Sequence, residues 1–278
     1  MEQRANRFER VVLVGDSYGL PMLLDALEPK IVCCLIPAQI RQNDLAKVEN
    51  LASQYDIPLL IQPRSGTDEY PAFVDALRKL MPDILVCNSY SMIIRPDILN
   101  LVSGNAINVH AALLPKNRGP NPIQWAIIKD ESETGVTLHY MDETIDAGDI
   151  ISQAKMAIHE DDTWVSLRDR LSVVTRELLA KQLPLVLLGT NGRQKQDEAS
   201  ASINSRLTPE SPKIEFDKMD DRKIFNLIRA QVHPLRGAYV ESERGREYFS
   251  SYLPLASIPE LRRHFEQPIQ KMGSTKPI

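Results

Sequence analysis

The chain has 278 residues, 43% of them hydrophobic and 25% charged, enough for one large or two modest domains with a substantial core. A net charge of −4 and a pI near 5.8 leave no electrostatic footprint for nucleic acid or an anionic membrane. Cys33, Cys34 and Cys87 form no disulfide or zinc spacing, and no apolar run reaches the length of a membrane span, so a reducing, cytoplasmic setting without a leader is expected.

Residues 10–15 (RVVLVG) are a short β-branched run ending in glycine, and an apolar-periodic stretch follows at 20–27. This reads as strand, glycine turn, helix. The turn Asp16-Ser17-Tyr18-Gly19 matches neither spaced glycine fingerprint, so an ordinary βα connection is favoured over a phosphate cradle. Residues 30–37 form a second strand, 43–55 a helix, 57–62 a third strand, 70–80 a helix, 83–88 a fourth strand and 106–110 a fifth. Such alternation predicts a Rossmann-like, doubly wound, mostly parallel α/β sheet with ligands bound beyond the carboxyl ends of its strands.

After the fifth strand, Pro115, Gly119, Pro120 and Pro122 force the chain to turn. A helix over 119–129 carries Trp125 on its apolar side, and strands at 134–140 and 149–158 are joined by 141–148. A long amphipathic helix over 163–188 places Trp164, Leu167, Leu171, Val174, Leu178 and Leu179 at helical spacing, which makes Trp164 a packing residue. Residues 191–207 are polar and aperiodic and read as a linker between a catalytic domain, 1–190, and a small C-terminal subdomain, 208–278. In that subdomain 213–216 is a short strand, 221–232 an amphipathic helix and 237–240 the start of a further strand, giving an α+β or β-rich unit.

Asn108 and His110 stand two apart in the fifth strand, so period-2 alternation puts an amide and an imidazole on one face. Asp146, in the turn Asp146-Ala147-Gly148-Asp149, joins them if the two segments are neighbours. A strand-end Asn, a half-buried His and an Asp before Ala-Gly each have plain structural readings. A metal trio of His110, His139 and Asp146 is conceivable, but its spacing is not one that metal sites favour.

The run N-V-H-x-x-L-L-P-x-x-R-G-x-x-P-I from Asn108, then T-G-V-T-x-H from Thr134 and D-x-G-D-I from Asp146, resembles the formyltransferases that use 10-formyltetrahydrofolate. That family includes methionyl-tRNA formyltransferase, glycinamide ribonucleotide transformylase and the sugar-nucleotide N-formyltransferases. The resemblance implies Asn108, His110 and Asp146 as catalytic residues and implies no metal. It also implies a folate site lined by Tyr90, Met92, Ile93 and Ile94 and by the loop residues Met141, Asp142, Glu143 and Thr144. Lys116, Arg118 and Gly119 are expected at the acceptor. The C-terminal part resembles a shortened form of the small β-rich domain of methionyl-tRNA and aminoarabinose formyltransferases.

These residue types suit formyl transfer. An amine attacks a carbonyl through a tetrahedral intermediate, and an amide N–H aimed at the oxygen stabilises the charge that develops there. An imidazole moves the proton near neutral pH, and a carboxylate holds the imidazole.

The acceptor is expected to be a small-molecule amine, a nucleotide-linked amino sugar of the kind used in lipopolysaccharide modification. Nucleic acid is disfavoured. The place of the family's basic insertion holds residues 37–44 with Arg41 as its cation, and from Pro209 onward twelve Lys and Arg face ten Asp and Glu. Methionyl-tRNA, hydroxyornithine and a non-catalytic folate-binding module stand as alternatives. No membrane partner is expected, and a homodimer is one arrangement open to the chain.

Overall fold

The computed structural model describes residues 7–27, 31–37, 40, 42–243 and 245–266. Lys30 of the expected second strand, and Ala38, Gln39 and Arg41 of the segment after it, lie outside the described residues. The described residues form two compact units, one within Met1–Ile123, Glu133–Ala157 and Arg168–Arg206 and the other within Gln124–Ser132, Ile158–Leu167 and Leu207–Ile278.

In chain order the first half of the sequence forms β1 (Val11–Gly15), α1 (Gly19–Asp25), β2 (Ile31–Pro37), α2 (Gln42–Gln54), β3 (Leu59–Gln62), α3 (Tyr70–Lys79), β4 (Ile84–Asn88), the short α4 (Pro96–Leu99) and β5 (Ala106–His110). Next come α5 (Pro122–Ile128), β6 (Glu133–Tyr140), β7 (Ile150–Ala157) and α6 (Trp164–Leu187). The seven strands make one sheet in the order β3-β2-β1-β4-β5-β6-β7. Pairings from β3 across to β5 are parallel, and β6 and β7 add antiparallel. The expected doubly wound, mostly parallel architecture is therefore observed. Its strand order reverses at β1, the topological switch that places ligand sites in such sheets.

Burial explains which strands are central. Every residue of β1 and of β4 is buried, as continuous apolar runs require when both sheet faces are covered. In β7 buried or half-buried residues alternate with exposed ones over the last positions, the pattern of an edge strand. In α3, Tyr70, Phe73, Val74 and Leu77 recur at helical spacing and are all buried. They pack in one cluster with Val12, Val14, Leu85, Cys87, Ile98 and Ala106.

The turn after β1 is closed on itself. The Asp16 carboxylate accepts from the backbone N–H groups of Tyr18 and Gly19, both at 2.9 Å, and from Ser89 Oγ at 2.9 Å. Its amides are thus satisfied by a side chain, as an ordinary βα connection requires. The helix expected over 119–129 begins only at Pro122, because Gly119 (φ 88°) and Asn121 (φ 58°) are left-handed and cannot continue a helix.

Residues 191–207, expected as a linker, are instead mostly part of the first unit. Gln194 exchanges backbone hydrogen bonds with Ile150, and Asn204 N–H donates to the Arg118 carbonyl at 2.8 Å. Polar side chains that bond to loops leave no apolar period, so composition alone resembles a tether.

The second unit contains α7 (Asp221–Arg229), a hairpin of β8 (Ala238–Ser242) and β9 (Gly245–Phe249), and α8 (Ile258–Glu266). Among the described residues it is α+β, without a barrel. The expected strand at 213–216 makes only an isolated bridge, Lys213 to Tyr239. Asp220 caps α7 by accepting from Lys223 N–H at 2.8 Å. Ile214, Ile224, Phe225, Ile228, Ala238, Val240 and Ile258 form the core of this unit. Arg229 is 2% exposed there. Its guanidinium donates to Asn226 Oδ1 at 2.9 Å and to the carbonyls of His159 and Asp162 at 3.2 and 2.8 Å, as a buried charge demands. The indole of Trp164 donates to the Val232 carbonyl at 2.7 Å, consistent with its reading as a packing residue. Among the described residues no helix is long and apolar enough to cross a membrane.

Candidate active site

Register assembles the site in the first unit. β5 and β6 run antiparallel with Asn108 opposite His139 and His110 opposite Thr137, so Asn108, His110 and His139 share one face. The connection from Tyr140 to Ile150 brings Asp146 back over that face. Gly148 lets it pass close to β6, since a Cβ there would lie 2.0 Å from the Tyr140 carbonyl oxygen. Asp146 itself is left-handed at φ 53°, a conformation that persists where surrounding contacts impose it.

The three expected catalytic residues are together. Asp146 Oδ2 lies 3.6 Å from His110 Nδ1, and Asp146 Oδ1 lies 3.5 Å from Asn108 Nδ2. A fourth residue joins them, for His139 Nε2 lies 3.2 Å from Asn108 Nδ2 and 3.6 Å from Asp146 Oδ1. Gly119 N–H donates to Asp146 Oδ2 at 2.8 Å. Among the described residues, no three His, Cys, Asp or Glu side chains are arranged to hold a metal ion.

Hydrogen-bond chemistry fixes the tautomers. His110 Nε2 is 2.7 Å from the Asn117 carbonyl, which can only accept, so Nε2 carries a proton and Nδ1 is the basic nitrogen turned to Asp146. His139 Nδ1 is likewise 2.7 Å from the Tyr140 carbonyl and must donate, which leaves its Nε2 to accept from the Asn108 amide. The Asn108 nitrogen therefore has one good bond and one long contact, to Asp146, that a better acceptor can displace.

Burial pushes the His110 ring below the ordinary imidazole range; the Asp146 charge and the Asn117 carbonyl pull the other way, and His139 adds to the lowering. Burial alone would raise the Asp146 carboxyl, but the interaction with His110, the neighbouring His139 ring and the Gly119 N–H overcome it and hold the group below the usual carboxylate range. At neutral pH the site is thus a neutral imidazole beside a carboxylate.

The other expected residues are dispersed. Arg118 is 3% exposed, with its guanidinium bonded to Gln196 Oε1 and to the Glu198 carboxylate at 2.7–3.1 Å. Four of its five N–H donors are held by Gln196 and Glu198 and the side chain is buried, which corrects the expectation that it grips an acceptor's phosphates. Lys116 is exposed, and Gly119 contributes its amide to Asp146. Ile94 belongs to the core beside Tyr70 and Phe73 and offers no wall to a ligand, a second correction. Ile93 is 69% exposed and Met92 half-buried, and the Tyr90 hydroxyl donates to Gln62 Oε1 at 2.9 Å. Met141 packs against the core cluster, while Asp142, Glu143 and Thr144 are exposed and adjoin Ile145, 54% exposed. Reasoning from sequence missed Asn117 and Gln196, because a backbone carbonyl has no side-chain signature and Gln196 sits in an aperiodic stretch. His139 was given a role only within the disfavoured metal trio, although it closes the T-G-V-T-x-H run; the T-x-H alternation that puts it on the face of Thr137 was the available signal.

An amide donor, a neutral imidazole and an ionised carboxylate on one face of a doubly wound sheet are the parts of a site for transferring a carbonyl group. The chain belongs to the formyl transferase family, which matches residues 9–183. It is 40% identical over 184 residues to a methionyl-tRNA formyltransferase of Staphylococcus aureus (strain Newman), covering 66% of this chain and 57% of that protein. It is 39% identical over 200 residues to a methionyl-tRNA formyltransferase of Lysinibacillus sphaericus (strain C3-41), covering 71% and 62%. The chain spans less than two thirds of the length of these curated relatives. A solved sugar N-formyltransferase from Shewanella sp FDAARGOS_354 shares the fold, with a TM-score of 0.69 and 22% identity over 88% of this chain and 97% of that one.

Proposed function

We propose that the protein is an N-formyltransferase that moves the formyl group of 10-formyltetrahydrofolate to the amine of a nucleotide-linked amino sugar. The observation that carries the reading is the convergence of Asn108 and His110 on Asp146, each within 3.6 Å of its carboxylate.

The cosubstrate supplies a formyl carbon activated by the nitrogen that leaves it. Ile93 and Ile145 expose apolar side chains of the kind that can cover a flat ring, and Asp142, Glu143 and Thr144 are exposed beside Ile145, which supports a pterin lying against them. Tyr90, Met92, Ile93, Met141, Asp142, Glu143 and Thr144 are assigned to hold it.

The chain's own residues then act as follows. The Asn108 amide exchanges its long contact to Asp146 for the formyl oxygen, where negative charge develops, an interaction worth about 3 kcal/mol in the barrier. His139 keeps that amide oriented through its second N–H. His110 accepts the attacking amine's proton at Nδ1, and Asp146 stabilises the imidazolium before the proton passes to the departing nitrogen.

The small acceptor is supported by charge, since an acidic chain with a nearly neutral C-terminal part has little to neutralise tRNA phosphates. Methionyl-tRNA is the second reading, favoured by the 40% identity to an enzyme with that acceptor. Incubation with 10-formyltetrahydrofolate and either a panel of nucleotide-linked amino sugars or charged initiator tRNA separates them by tetrahydrofolate release. Turnover with the sugars is expected. Turnover with tRNA alone overturns the acceptor, and folate binding without turnover on any amine overturns the enzyme reading in favour of a binding module.

A further inference from the structure

Gln196 bonds to two loops that carry the site. Its Oε1 accepts from Arg118 Nε at 3.1 Å and Nη2 at 2.9 Å, while its Nε2 donates to the carbonyls of Asp146 at 2.8 Å and Gly148 at 2.7 Å. One primary amide thus spends its acceptor and both its donors in tying Arg118 to the Asp146 turn. Glu198 grips the far side of the same guanidinium, and Arg118 exchanges backbone hydrogen bonds with Ser202 and Asn204.

Arg118 stands between the two groups that define the site's electrostatics. Its preceding neighbour Asn117 gives His110 Nε2 a carbonyl, and its following neighbour Gly119 gives Asp146 Oδ2 an amide. On the other loop the bonded carbonyl belongs to Asp146 itself, whose left-handed backbone needs an external restraint.

We infer that Gln196 is a positioning residue for formyl transfer, holding the Asp146 carboxylate against His110 by locking the 117–119 segment to the Asp146 turn without touching the reacting atoms. The kinetic part of this inference rests on the proposed activity; the structural part does not.

The test is Gln196→Met, which keeps length and volume and removes every hydrogen bond. Its kcat should fall about 10–100-fold, as for a reacting group displaced by a fraction of an ångström to an ångström, with each KM within threefold. The ionisable groups facing His110 are Asp146 and His139. A carboxylate that drifts away no longer favours the imidazolium, so the His110 resonance, followed by NMR in ring-labelled protein, should titrate about half a pH unit lower than in the parent. An unmoved titration in folded Gln196→Met overturns the inference whether or not turnover falls. Where that variant does not fold, Gln196→Asn, with its amide one methylene short, is read by the same two outcomes. If the parent protein transfers formyl to no amine, the titration still decides the positioning role while the proposed activity falls.

Discussion

The Asn117 carbonyl accepts the Nε2 proton of His110 at 2.7 Å, and this contact decides which nitrogen can do chemistry. Nδ1 is left basic and faces Asp146. His110→Ala is therefore expected to lower kcat by about 10²–10⁴-fold, the usual worth of a positioned general base. Folate affinity, read by equilibrium fluorescence, should stay near that of the parent. Unchanged turnover would remove the imidazole from the mechanism.

The acid limb of the rate profile should report the same ring. Because burial keeps His110 below the ordinary imidazole range, kcat/KM should hold down to below about pH 6.5 and then fall as the ring is protonated. Asp146 raises the His110 value, so Asp146→Asn should move that inflection lower while reducing the plateau. An inflection that rises in this variant contradicts the assignment.

Stability should lean the same way. The unfolded chain takes up protons on His110 and Asp146 before the native site does, because both folded values lie below the ordinary ones. The His110 contribution is whole above about pH 6.5 and fades below it, and that of Asp146 is whole above about pH 3.9 and fades below it. Urea melts from pH 7 to pH 3 should show falling stability, with a shallower slope in the double variant His110→Gln/Asp146→Asn. Equal slopes refute the linkage.

His139 offers a further separation of roles. Asn108→Ala should cost about 10²–10³-fold in kcat by deleting the oxyanion donor. His139→Phe keeps the donor but removes its guide, and should cost about 10–100-fold. It should also cost about 1–3 kcal/mol of stability, because the Tyr140 carbonyl loses its imidazole partner. Pre-steady-state turnover and urea titration measure both, and activity equal to the parent's in His139→Phe would discard the guiding role.

In the second unit, Arg229→Met should lower stability by about 1–3 kcal/mol, since the Asn226 side chain and two carbonyls lose their donor inside the core. Hydrogen exchange in α7 locates the loss. A variant as stable as the parent would mean that the thioether repays in packing what the guanidinium gave in bonds.

Local patterns in the sequence specified what depends on local chemistry. Apolar runs of four to seven residues marked the parallel strands, and period-2 alternation put Asn108 and His110 on one face. The order of amide, imidazole and carboxylate carried the family resemblance. Only the tertiary structure decided what depends on chain reversal. The antiparallel register set His139 beside Asn108, the backbone of Asn117 chose the His110 tautomer, and the polar stretch around Gln196 folded back to consume Arg118. Hydrogen bonds between residues some thirty to eighty positions apart leave no periodicity to read, and a backbone carbonyl belongs to every residue alike.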